Sequence, residues 1–352
     1  MDRSRSYVAN PPGVAIKEQL NNRGMTQKEF AARMDMSEKH ISKLINGEVQ
    51  LTPETAVRLE TVLDVPASFW NNLESIYREK LVKIAEENAL DEDIQIARIF
   101  PYIDIAKLGW VPKTTIAKEK ALNLRKYFEV YRLSLLENNM LSFIACRRIS
   151  ITKKSDLALL AWAQQAKRVG RNMDTKRINI EGLYNLIPLF RSMTIKDPSI
   201  FQSELSKVLA DCGIALVLLP HIRGSFLHGA TFIDGSKIVL GLTVRGRDAD
   251  RFWFSFFHEL GHVVLGHIGK PEGLSEEDEV EADKWARDNL IDAEAFNAFV
   301  NRGVFSVSSI CEFSAAQGVA PGIVVGRMQS ENIIKYNMFN SLKEKYELNP
   351  KS

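Results

Sequence analysis

Hydrophobic positions recur every three to four residues along most of the chain, and between about residues 214 and 243 the period shortens to that of extended backbone. Residues 13 to about 78 read as five short helices with strong punctuation. Val14, Ile16 and Leu20 are available for a core in the first, and Asn22, Arg23 and Gly24 close it. Thr26 and Glu29 have the spacing of a capping box, in which Glu29 reaches back, and Ser37 and Thr52-Pro53 cap two further helices. Ala31, Met36, Ile41 and Leu44 face inward, so two short helices joined by a tight break form a helix-turn-helix whose second member can enter a major groove.

The polar stretch 80–93, with Glu86, Glu87, Asp91, Glu92 and Asp93, reads as a boundary with hinge freedom. Helical periodicity resumes from 94 to 211, with Phe128, Tyr131, Trp162 and Phe190 as expected core residues. Residues 214–219, 229–233 and 237–242 are strand-like, and Asp234-Gly235-Ser236-Lys237 supplies a hairpin turn. The expected fold is mainly α with a small antiparallel sheet (α+β), in three parts: a helix-turn-helix domain over 1–80, a helical middle region over 81–200 and a C-terminal domain over 201–352.

The apolar run after the sheet carries the chain's most specific chemistry, His258-Glu259-Leu260-Gly261-His262. Residues four apart share a helix face, so His258 and His262 can aim both imidazoles at one metal ion, with Glu259 about 100° round the axis and within reach of a water there. Zinc (Zn2+) is the expected ion, since two histidines and a carboxylate leave a position open for catalysis. The third ligand is sought on the next helix. Glu281 adjoins the stripe Ala282, Trp285, Ala286, Asn289 and Leu290 and is chosen, with Glu277 in reserve, while Glu279 is expected to face solvent. Gly266 and His267 each miss the metzincin register by one place, and His267 is expected at the surface or capping the helix end.

Charge adds a restriction. Residues 1–80 hold 11 Lys/Arg against 11 Asp/Glu, so a DNA-binding role there must rest on its motif; residues 81–200, with 20 against 13, are the basic part. Arg147, Arg148, Lys153, Lys154, Lys167, Arg168 and Arg171 form a cluster able to steer DNA or an acidic partner, or simply a solvated face. Cys146, Cys212 and Cys311 lie far apart in no paired pattern, which argues against a disulfide framework and for a reducing compartment. With no apolar signal core and no membrane-length apolar run, the expected localisation is cytoplasmic, away from membranes.

The first fifth of the chain resembles the lambda-repressor-like, or XRE, DNA-binding family, and Pro66-Ala67-Ser68-Phe69-Trp70-Asn71-Asn72-Leu73 resembles the HigA antitoxin branch. By position in that motif, Gln27 and Asn46 would contact phosphate, while Glu38, Lys39, Ser42 and Lys43 would face base edges. The sheet, the His258-Glu259-x-x-His262 helix and the Glu281 helix resemble the ImmA and IrrE family of zinc metallopeptidases, a gluzincin-like arrangement. The resemblance extends to Arg251-Phe252-Trp253-Phe254 and to Pro321-Gly322-Ile323-Val324-Val325-Gly326-Arg327. It implies peptide hydrolysis with zinc on His258, His262 and Glu281, Glu259 as general base, and a repressor-type protein, or the chain itself, as substrate. His228 is the first choice for stabilising the oxyanion, ahead of His221 and Arg245. The head implies a homodimer on operator DNA with an inverted repeat. The alternative is an antitoxin or repressor beside a toxin partner, its zinc domain a sensor or partner-binding module.

Overall fold

A computed structural model of the chain describes residues 7–136, 153–223, 228–243, 248–270 and 274–346. The chain divides into two compact units, 1–95 and 96–352, where the sequence led us to expect three parts. Residues 80–93, expected as a hinge, lie inside one helix, α5 (Ala67–Ile99).

The first unit holds α1 (Gly13–Asn22), α2 (Gln27–Arg33), α3 (Glu38–Ile45), α4 (Pro53–Leu63) and most of α5. Ile16, Phe30, Ile41, Ala56, Leu59, Leu63 and Trp70 are fully excluded from solvent at its core, and Trp70 Nε1 donates to the Val65 carbonyl at 3.1 Å. Thr26, Ser37 and Thr52 each accept a backbone N–H three residues on, at 3.2 Å. Two local expectations are corrected. Glu29 does not reach back to Thr26 but pairs with Arg33 at 2.7 Å, a full guanidinium being a stronger partner than one amide. Val14 is 53% exposed, because Ile16 and Leu20 already fill the buried face of α1.

In the second unit, α6 (Tyr102–Lys107), α7 (Ala117–Phe128), α8 (Lys153–Arg171), α9 (Ile180–Met193) and α10 (Pro198–Asp211) precede the sheet. Phe128, Trp162 and Phe190 are buried as expected, while Tyr131 is 62% exposed, with the Arg125 and Arg132 guanidinium groups over its ring. The sheet has the order β1-β3-β2, from β1 (Ile214–Leu219), β2 (Gly229–Asp234) and β3 (Lys237–Thr243). It is mixed rather than antiparallel: β2 and β3 form the expected hairpin, closed at Asp234 and Lys237 with Gly235 at φ +63°, whereas β1 runs parallel to β3. Its central strand is covered by α8, where Gly170 lets Val239 approach and Gly241 makes room for the Trp162 indole. Close approach of the helix to the sheet therefore makes the middle region and the C-terminal region one body.

The remaining helices are α11 (Ala249–Val264), α12 (Glu276–Leu290), α13 (Ala293–Asn301), α14 (Val307–Gln317) and α15 (Pro321–Ser330). Trp253, Phe256, Phe257, Leu260 and Val263 bury α11 at the centre of the largest core. No described helix is long and apolar enough to cross a membrane.

Candidate metal centre and nucleic-acid interface

Helix α11 presents three chemically active side chains to the interior: His258 is 7%, Glu259 3% and His262 0% exposed. One turn separates the two histidines, and their Nε2 atoms lie 3.1 Å apart. Helix α12 packs directly on this turn. Gly261 makes that possible, since a Cβ there would stand 3.2 Å from the Trp285 ring and 3.4 Å from the Ala282 carbonyl oxygen, and Ala282 and Ala286 are the small, fully buried residues opposite.

The approach brings Glu279, not Glu281, to the histidines. Glu279 Oε2 is 3.4 Å from His258 Nε2 and Glu279 Oε1 is 3.6 Å from His262 Nε2. Donor atoms of the three residues all lie within 4.8 Å of one another, a spacing that could hold a metal ion. The expected choice of Glu281 is thereby corrected. At about 100° per residue Glu279 lies about 60° from Ala282, whose backbone meets Gly261, and Glu281 about 100° from it. Glu281 is 62% exposed at its side chain, with Oε2 3.2 Å from His267 Nε2, and Glu277 is exposed.

Both carboxylate oxygens of Glu279 are buried, and among the described residues neither accepts a hydrogen bond, the facing nitrogens being the more distant Nε2 atoms of His258 and His262. Such atoms are costly unless something positive satisfies them. His258 Nδ1 is 2.8 Å from Asp283 Oδ1, one turn beyond Glu279 on α12. Burial works against a charge on His258, but Asp283 and Glu279 outweigh it and raise its pKa to about 10. Burial, with the neighbouring His258 and His267, depresses His262 to about 3. Glu259 turns toward β2, where the Thr231 hydroxyl donates to its Oε2 at 2.6 Å, and burial pushes its carboxyl up to about 7. A Cβ at Gly229 would fall 2.6 Å from that carboxylate, so glycine there is what admits it.

His228, the residue before β2, is exposed and stands apart from the three donor residues. It lines a cavity of about 480 Å³ with Phe254, Ser255 and Arg287, and the Phe254 ring lies 6.4 Å from that of His258. His221 is half-buried, and Arg245 lies outside the described residues. The sequence reading missed Asp283, Thr231 and Gly229. The spacing of Asp283 four after Glu279 was available as a signal, but only once Glu279 had been placed.

In the first unit, Gln27, Glu38, Lys39, Ser42, Lys43 and Asn46 are all exposed, while Ile41, Leu44 and Ile45 hold α3 to the core. The five on α3 and its C-cap, at spacings of one and three, form a single polar face. Of the basic middle cluster, two described members are engaged in ion pairs. Lys167 and Arg171 pair with Asp234 at 3.2 and 2.9 Å, and Arg171 also pairs with Glu129 at 2.8 Å. Arg147, Arg148 and the side chains of Lys153 and Lys154 lie outside the described residues.

A family model described as Helix-turn-helix matches residues 16–70. Over 66 residues the chain is 33% identical to an uncharacterised HTH-type transcriptional regulator, YddM, of Escherichia coli (strain K12), covering 19% of this chain and 70% of that protein. Through these N-terminal helices the chain belongs to the helix-turn-helix family.

Proposed function

We propose that the chain is a DNA-binding transcriptional regulator whose second unit is a zinc-dependent endopeptidase acting on a repressor-type protein. The first half of this reading is supported by the family match and by the polar face of α3. The second half rests on one observation above the others: two buried Glu279 oxygens without a hydrogen bond, beside the Nε2 atoms of His258 and His262. Two histidines and a carboxylate suit zinc in a catalytic rather than a closed structural site. Asp283 on His258 Nδ1 is the kind of outer partner that orients a metal-binding imidazole.

His258, His262 and Glu279 would hold the zinc ion, which would supply Lewis acidity toward a peptide carbonyl and the attacking water. Glu259 moves the proton. Its carboxylate takes a proton from water as the new C–O bond forms and returns it to the amine nitrogen as the C–N bond breaks. Strand β2 is an edge of the sheet as described, and Gly229 and Thr231 border Glu259. An extended substrate adding along that edge would pass the general base, with main-chain pairing supplying most of the recognition. An internal cut at 86–93 fits this poorly, since those residues are helical in α5. A partner in trans is the better substrate.

The test compares zinc-loaded full-length protein with Glu259→Gln, each incubated with host lysate and read by mass spectrometry for new peptide N-termini. Glutamine keeps the shape and can still accept from Thr231 while losing the base. New termini with the wild type alone are expected. Equal profiles, with zinc bound in both proteins, would overturn the peptidase and leave a DNA-binding protein with a zinc-holding module.

A further inference from the structure

His267 plays no part in that mechanism, yet it is 4% exposed and lies against the metal centre. Helix α11 ends at Val264, and Gly266, at φ +73°, turns the chain back so that the His267 amide donates to the His262 carbonyl at 2.9 Å. The two rings then meet: His262 Nδ1 is 3.1 Å from His267 Nδ1. On its far side, His267 Nε2 is 3.2 Å from Glu281 Oε2 and 3.5 Å from Asp278 Oδ1. Lys270 Nζ holds Asp278 Oδ1 at 2.7 Å, which leaves Glu281 as the nearer acceptor for the ring.

The direction of each hydrogen bond follows from the first link, given the zinc reading above, on which this inference rests. An imidazole that gives its Nε2 lone pair to a cation carries its proton on Nδ1 and must donate from there. The atom facing His262 Nδ1 is His267 Nδ1, so that nitrogen must accept, and the His267 proton must sit on Nε2, donated to Glu281. We infer that His267 is a positioning residue, which fixes the ring plane and tautomer of His262 through a hydrogen-bond relay from His267 to Glu281 and thereby sets zinc affinity. The two metal-facing histidines are thus held differently. Asp283 meets His258 directly with a carboxylate, whereas His262 meets a second imidazole with the carboxylate one link further away.

The relay also accounts for Glu281. Its place beside His267 gives it a role in holding the acceptor ring, since it groups with His267 and Asp278 and not with His258, His262 and Glu279.

Two measurements on the full-length chain test this. In zinc-loaded wild type, long-range ¹⁵N–¹H spectra are expected to show His262 protonated on Nδ1 and His267 on Nε2; a His267 protonated on Nδ1 would overturn the relay. Zinc competition titrations then compare His267→Phe, which keeps bulk without an acceptor, with His267→Asn, whose side-chain oxygen can stand in for Nδ1. Affinity is expected to fall about 10- to 100-fold in the first and to recover most of that loss in the second. Wild-type affinity in a folded His267→Phe protein, or equal loss in both variants, would overturn the positioning role while leaving the zinc reading intact. Failure of the wild type itself to bind zinc would overturn both.

Discussion

Helix α3 of the first unit and the helices of the candidate metal centre in the second are built by different kinds of information. The cap and the exposed face of α3 are set within a few residues of it, by Ser37 and by the polar positions that point to solvent, while Ile41 and Leu44 seat it on a core that runs from Ile16 to Trp70. The candidate metal centre depends on how closely α11 and α12 approach, and Gly261 and Ala282 set that approach without carrying any chemistry themselves. A surface site built locally is stable to distant change. A buried site built between helices inherits the tolerances of packing.

The largest expected effect separates two glutamates. Glu279→Gln removes a charge facing the two Nε2 atoms, and zinc affinity should fall by more than about 100-fold, past the range seen for outer-shell partners. Glu281→Gln keeps an acceptor for His267 and should cost less than about tenfold. Competition titration of both variants with a zinc chelator decides the order, and the reverse order would restore Glu281 as the ligand and undo the packing argument.

The next effect tests the approach of the helices directly. Gly261→Ala places one methyl at 3.2 Å from the Trp285 ring, a crowding that the gain in helix propensity of about 1 kcal/mol offsets. Gly261→Val adds branches that the Ala282 backbone cannot yield to. Overpacking should cost about 1–3 kcal/mol in denaturant unfolding, and zinc affinity should drop with it although every donor residue is intact. Unchanged zinc binding in Gly261→Val would mean the donors are placed by something other than the α11–α12 contact.

This division marks what could be read in the sequence. The caps at Thr26, Ser37 and Thr52, the hairpin at Gly235, the buried face of α3 and the His258–His262 pair all follow from residues one to four apart. Glu279 was hidden by its own surroundings: it sits in the run Glu276, Glu277, Asp278, Glu279, where the first turn of a helix favours acidic residues anyway. His267 reaches His262 through a left-handed glycine turn that helical periodicity does not describe. The parallel pairing of β1 with β3 likewise depends on the path of the connection, since the alternation of β1 is lost in a strand buried on both faces.

The smallest expected effect belongs to the local site. Asn46 is the C-cap of α3, exposed, with its backbone in a helical conformation that alanine adopts readily, so Asn46→Ala should leave the unit folded. If Asn46 donates to a phosphate, its loss removes a single neutral hydrogen bond. Affinity should then fall by about 0.5–1.5 kcal/mol, equally for operator and random DNA, and the dependence on salt should not change because no cation has been removed. Fluorescence anisotropy at several salt concentrations reads both quantities. Loss of discrimination at one base pair would mean that Asn46 reaches a base edge and that α3 enters the groove deeper at its C-terminal end. No loss on any DNA would detach this face from nucleic acid, and the contrast between a legible surface site and a hidden buried one would lose its first member.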